Sequence, residues 1–258
     1  MRKKRHQRAV VDKKKRRRWE TLHPEILASI FIRIAPHEMM KRVPFVCKSW
    51  NEVVLGPYCW QDIDVSVWCE IRSDNDPDKV DHVLEKLVQR TNHTARQLCT
   101  FDMGVRGFSA IANCGRCLIS LVMPVGNIND EMVLKHIKPL PNLKYLDISY
   151  CFHITHKGIA AFGNNCKSLY DLKRCMPTVP FEEHSSPDDD SEAKAIADTM
   201  PNLRWLQLCA GKFGKPGLFE ILAKCKLLTH LDIYESWNVD LNDAEFKGIT
   251  EKLRMFLY

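Results

Sequence analysis

Two hydrophobic periods divide the chain. Between residues 19 and 63 apolar side chains recur at helical spacing, and from residue 98 onward they recur as a short strand pattern repeated several times. In residues 24–34, Ile26, Leu27, Ile30, Phe31 and Ile34 mark one helical face, and Pro24 suits a first turn, where its missing N–H goes unmissed. Pro36 ends that helix. A brief second helix is predicted over 37–42 and a third over 45–55, the latter with Phe45, Val46, Ser49, Trp50, Val53 and Val54 on its face and Gly56-Pro57 as its stop.

The strand pattern is L-x-x-L-x-L with apolar substitutes. It reads as Leu98-Phe101-Met103, Leu118-Leu121-Met123, Leu143-Leu146-Ile148, Leu203-Leu206-Leu208, Leu228-Leu231-Ile233 and Leu253-Phe256-Tyr258, with a damaged copy at Leu169-Leu172-Arg174. Successive starts lie 20, 25, 26, 34, 25 and 25 residues apart, so all but one interval suit a leucine-rich repeat. The long interval holds an acidic, Ser-Pro-containing stretch at 177–192, predicted to be an exposed insertion. Amphipathic segments such as Leu218, Ile221, Leu222 and Cys225, or Ile159, Ala160 and Cys166, separate the strands. A strand and helix of this size cannot cover their own apolar faces, whereas stacked copies bury a continuous core. The expected fold is therefore α/β: a β-α solenoid with a parallel concave sheet and outer helices over 98–258, behind a small all-α module at 19–63. Asp76-Pro77 followed by Val80, Val83, Leu84, Leu87 and Val88 predicts a helix within a linking region, 64–97.

Leu22-His23-Pro24-Glu25-Ile26-Leu27, then Ile30-Phe31, Ile34, Val46-Cys47-Lys48-Ser49-Trp50 and Trp60 resemble the F-box signature. Glu38-Met39-Met40 departs from its usual acid-Leu pair by a near-isosteric substitution. The segment Cys151-Phe152-His153-Ile154-Thr155-His156-Lys157-Gly158-Ile159 resembles the cysteine-containing repeat found behind F-boxes. Together the modules resemble plant-type F-box/leucine-rich-repeat proteins. The resemblance implies a non-catalytic adaptor: the F-box would dock on a Skp-type protein and through it a cullin ubiquitin ligase, and the repeats would bind a protein substrate. Adaptor contacts are then expected from Leu22, Pro24, Ile26, Leu27, Ile30, Val46, Cys47 and Trp50.

Strand geometry places the substrate surface. The leucines point into the core, so the intervening positions face outward: Ser120, Val122, Tyr145, Asp147, Ser149, Trp205, Gln207, His230, Asp232 and Tyr234. Of these, Tyr145, Asp147, Trp205, Gln207, His230, Asp232 and Tyr234 are the expected substrate contacts, because exposed aromatics beside polar groups commonly anchor interfaces.

Charge adds a third segment. Residues 1–18 hold eleven Lys and Arg against one Asp, +10, leaving −4 of the overall +6 for the rest. Such a block is expected to be disordered. Its clusters, Arg2, Lys3, Lys4, Arg5 and then Lys13, Lys14, Lys15, Arg16, Arg17, Arg18, resemble a bipartite nuclear import signal, with phosphate binding as the competing reading. Nucleus, cytoplasm or both are the expected locations, since neither a membrane-spanning run nor a signal peptide is evident.

Candidate chemistry changes the picture little. Eleven scattered cysteines suggest reduced thiols rather than a disulfide framework. Cys114-x-x-Cys117 and Cys151-x-His153-x-x-His156 lack a second half-site at zinc-finger spacing. Cys166 and Cys225 occupy the repeat position held elsewhere by Leu140 and Met200, which marks them as core. No metal or cofactor is expected. A repeat scaffold outside ubiquitin transfer and a nucleic-acid binder using the basic arm are the alternative functions. Tyr258 falls inside a repeat without a polar cap, as in a short member or a truncated chain.

Overall fold

The computed structural model describes residues 19–72, 76–178, 189–236, 238–239 and 253–257. The basic arm, most of the acidic insertion and Tyr258 lie outside the described residues.

Three short helices form the N-terminal module: α1 (Pro24–Phe31), α2 (Pro36–Lys41) and α3 (Lys48–Leu55). Proline opens α1 and α2, as its fixed φ favours. Helix α3 starts later than the predicted 45–55, because Cys47 is extended and a 3-10 turn, Val43–Phe45, precedes it. Phe45 and Val46 therefore sit on a turn facing solvent instead of on the helix's buried face.

Among the described residues, eight parallel strands follow in sequence order: β1 (Asp62–Asp64), β2 (Gln97–Cys99), β3 (Ser120–Val122), β4 (Tyr145–Asp147), β5 (Asp171–Lys173), β6 (Trp205–Gln207), β7 (His230–Asp232) and β8 (Met255–Leu257). Each has one central residue turned into the core, and the register stacks these in a single row: Ile63, Leu98, Leu121, Leu146, Leu172, Leu206, Leu231 and Phe256. All but the last are essentially inaccessible to solvent. Between strands run α4 (Ser66–Ile71), α5 (Pro77–Arg90), α6 (Val105–Ala112), α7 (Asp130–His136), α8 (His156–Asn165), α9 (Ser191–Thr199) and α10 (Lys215–Lys224), whose apolar faces close the same core.

The register corrects the sequence reading in two places. Leu98 pairs with Leu121, so it is the central residue of its repeat and the motif is Ala95-Leu98-Thr100; the frame Leu98-Phe101-Met103 is three residues late. Small Ala95 and polar Thr100, both buried, hid the true frame, while Phe101 and Met103 imitated it by chance. In addition, the sheet begins at β1, where Trp60-Ile63-Val65 forms a repeat core well before residue 98. Helix α5, foreseen as a connector, is the outer helix of that repeat.

Trp60 is shared between the modules. It is buried, its indole N–H donates to the Val54 carbonyl of α3 at 2.6 Å, and the Arg90 guanidinium of α5 lies 5.7 Å from its ring centroid.

Neighbouring repeats are joined by aspartates. Asp81 accepts the N–H groups of Gly104 and Arg106 at 2.8 and 3.0 Å, Asp130 those of Thr155 and Gly158 at 2.8 and 2.9 Å, and Asp190 those of Gly214 and Gly217 at 2.9 and 3.0 Å. Each carboxylate thus satisfies unpaired donors at the first turn of the next repeat's helix. Burial raises the Asp81 carboxyl, and the hydrogen bonds from Gly104, Gly107 and Arg106 oppose that rise. The clamp needs glycine: a Cβ on Gly158 would stand 2.6 Å from Asp130 Oδ1 and 2.8 Å from Ile154 Cγ2.

Arg174, in the copy that looked damaged, replaces an apolar core residue without leaving a stranded charge. Its side chain is 2% exposed and pairs with Glu192 at 2.9 Å, while the carbonyls of Cys151 and Ile154 accept further N–H groups at 3.1 and 2.7 Å.

Gly158→Ala gains helix propensity of about 1 kcal/mol, but Asp130 cannot yield without losing its bonds, and overpacking costs about 1–3 kcal/mol. The expected net result is a lower midpoint in urea unfolding, shared by Asp130→Ala.

Candidate functional site: two separate faces

The strand residues flanking the core row line the helix-free face of the sheet, the concave side of a solenoid. One row reads Asp62, Gln97, Ser120, Tyr145, Asp171, Trp205, His230 and Met255, and the other Asp64, Cys99, Val122, Asp147, Lys173, Gln207, Asp232 and Leu257. Tyr145, Asp147, Trp205, Gln207 and His230 thus share one surface, and a hollow of about 300 Å3 opens among Tyr145, Asp171, Lys173, Trp205, His230 and Asp232. Trp205 is 43% exposed and stacks on His230, with ring centroids 3.7 Å apart and planes 9° from parallel. That contact fixes the indole as a flat apolar platform. Tyr234 is exposed too, but in the turn beyond β7, at the rim of the face.

Two of the outward positions are turned to internal use. Ser149 is buried, and its hydroxyl accepts the Cys175 N–H at 3.2 Å. Asp232 is 9% exposed, accepting from Gln207 Nε2 at 3.1 Å and from the Tyr234 N–H at 3.0 Å, so it shapes the hollow more than it offers a free charge. Conversely, Asp171 and Lys173 belong to this surface and were missed, because their repeat was read as damaged. Burial pushes the Asp171 carboxyl up to about 6; Lys173 opposes that rise and Asp147 adds to it. Lys173 Nζ also lies 6.0 Å from the Tyr145 ring centroid.

A second hollow, of about 360 Å3, lies beyond the ends of β5 and β6 among Phe152, Met176, Leu208 and Phe213. The guanidinium at its base, that of Arg174, is already engaged by Glu192 and two carbonyls.

The other face belongs to the helical module. Ile26, Ile30, Ile32, Phe45, Val46 and Leu55 are exposed, Phe45 at 84%. Pro24 is exposed beside them, and Leu22 and Cys47 are half-buried. Leu27 is fully buried against the helices, so it holds α1 in place and offers no contact. Trp50 is half-buried edge-on to Phe31, centroids 4.9 Å apart, and among the described residues its indole N–H is enclosed without a hydrogen-bond partner. Phe45 was missed as a contact because the helical reading turned it inward.

Five of the buried thiols are poor nucleophiles. Burial pushes Cys59, Cys114, Cys151 and Cys225 up to about 11 and Cys166 to about 12, which keeps them protonated. Among the described residues there is no cluster of three or more His, Cys, Asp or Glu able to hold a metal, and no helix long and apolar enough to cross a membrane.

No family model matches the chain. It is similar to F-box protein FBW2 of Arabidopsis thaliana, 36% identical over 234 residues that cover 90% of this chain and 72% of that protein. F-box protein SKIP1 of the same plant is 30% identical over 263 residues, covering 93% and 88% respectively. A protein described as F-box/LRR-repeat protein 23, also from Arabidopsis, is 31% identical over 250 residues, which make up 95% of this chain but only 54% of that one. Among solved structures, the crystal structure of the Rad7 and Elc1 complex in yeast aligns over 91% of this chain and 64% of that chain, at 14% identity and a TM-score of 0.47.

Because its folded pKa is raised, Asp171 stabilises the folded chain fully below its ordinary value of 3.8 and loses that contribution as pH rises through about 6. Asp171→Asn should therefore flatten the fall in stability between these limits. Thermal melts of both proteins across that range measure it.

Proposed function

The chain belongs to the F-box/leucine-rich-repeat protein family, and from that premise we propose that it is the substrate-recognition subunit of a Skp–cullin–F-box ubiquitin ligase. The observation that carries the reading is the separation of two unlike surfaces on one continuous core. The exposed side chains of Ile26, Ile30, Phe45 and Val46 form an apolar patch on the helical module, of the kind that marks a protein interface. A Skp-type adaptor is its proposed occupant. At a distance along the sheet, the face around Tyr145, Trp205 and His230 combines aromatic platforms with carboxylates and Lys173, a mixture suited to a folded protein or an extended polypeptide.

The protein itself performs no bond chemistry in this reading. A rigid solenoid holds the captured substrate near a ubiquitin-charged enzyme recruited through the adaptor, and the gain is effective concentration. Rigidity matters because it sets which substrate lysines are within reach. The shared Trp60 and the aspartate clamps are the parts that supply it.

We also propose that the +10 arm at 1–18 directs nuclear import, since its two basic clusters have no apolar periodicity to bury.

Ile30→Ser combined with Phe45→Ser should weaken binding to a Skp-type adaptor by about 2–4 kcal/mol, the range of interface anchors, with the melting temperature unchanged. Calorimetric titration tests it, and undiminished affinity would sink the assignment. Deleting residues 1–18 should shift the protein toward the cytoplasm in fractionated cells; an unchanged nuclear fraction would remove the import role.

A further inference from the structure

Cys175 and Cys209 stand beside each other on the sheet. They follow β5 and β6 at the same offset, and the ladder continues past both: Arg174 N–H donates to the Gln207 carbonyl at 2.8 Å and Met176 N–H to the Cys209 carbonyl at 3.0 Å. Neighbouring strands lie about 4.8 Å apart, which falls inside the Cα separation a disulfide spans. Both side chains are half-buried, and they stand at equivalent positions beyond neighbouring strands. All eleven cysteines are free thiols in the structure.

We propose that Cys175 and Cys209 are a dithiol modification site, closed to a reversible disulfide by a peroxide. The surroundings supply what the reaction needs. The neighbouring Cys209 lowers the Cys175 thiol against the burial that would raise it, while Cys175 and burial together push the Cys209 thiol up. Cys175 is thus the nucleophile and Cys209 the resolving thiol. The Cys175 sulfur attacks one peroxide oxygen, the O–O bond breaks, and the departing hydroxide takes a proton to become water. The sulfenic acid left on Cys175 is then attacked by the Cys209 sulfur, whose proton leaves with the displaced hydroxide as a second water. Two thiols are oxidised, one peroxide is reduced to two waters, and an external thiol reverses the change.

The bond would staple two repeats beside Ser149 and Tyr234, whose carbonyl accepts the N–H of Ala210 next to Cys209, at the edge of the face assigned to substrate. The chemistry needs no substrate, so the proposal stands independently of the role given to that face.

The test uses the reduced full chain treated with stoichiometric hydrogen peroxide, then alkylation and non-reducing peptide mapping. The expected result is the loss of two of the eleven free thiols, a linked Cys175–Cys209 peptide pair, and its disappearance with dithiothreitol. Cys209→Ser should give no linked pair and should instead trap a sulfenic acid at Cys175 with dimedone. Oxidation that falls on other thiols, such as Cys114 and Cys117, while Cys175 and Cys209 stay reduced would overturn the proposal. So would a Cys209→Ser protein whose Cys175 is inert to dimedone under the same treatment.

Discussion

Everything in this chain hangs on one row of side chains, the central strand residues from Ile63 through Leu231 that stack without gap beneath the sheet. No single repeat can bury its own share, so each strand and helix is stable only against its neighbours. Stacking also dictates where polar chemistry can stand. The two rows beside the core row must face outward, so the register that builds the core also sets the composition of the open face. The aspartates Asp81, Asp130 and Asp190 add direction to this otherwise apolar association, since each caps a helix of the following repeat and fixes how closely the two can approach.

The helical module is continuous with this arrangement. Trp60 is at once the anchor of α3 and the first core residue of the first repeat, so the patch on α1 and the turn before α3 is held at a set position relative to the sheet. For a protein proposed to work by proximity, that shared residue is a mechanical requirement: a flexible joint there would blur the distance between substrate and enzyme.

Much of this was legible from apolar spacing alone, and the rest was hidden for identifiable reasons. The strands β3 to β8 and their order followed from regularly spaced leucines. Strand β1 did not, because Trp60, Ile63 and Val65 contain no leucine and sit where a helical period still dominates. The frame of β2 was lost to a buried Ala95 and Thr100, where volume and a local hydrogen bond replace an aliphatic side chain. At the face itself, Tyr145 and Trp205 could be placed by alternation, whereas Ser149 and Asp232 could not. Their burial depends on partners from adjacent repeats, which no pattern within one repeat reveals. The same limit hid the aspartate clamps and the left-handed residues that leave the strands, Asp102, Val125, Tyr150, Ala210 and Glu235, none of them the glycine that usually signals that conformation.

The central claim is that two surfaces, one for the adaptor and one for substrate, share a fold but act separately. Its most direct test is quantitative capture from proteasome-inhibited plant cells by the wild-type chain and by a variant carrying Tyr145→Ala, Trp205→Ala and Tyr234→Ala. The account predicts that the variant retains the Skp-type adaptor, and the ligase subunits bound through it, in full while losing the proteins captured by the sheet. Retention of those proteins at wild-type levels, or loss of the adaptor together with them, would contradict it.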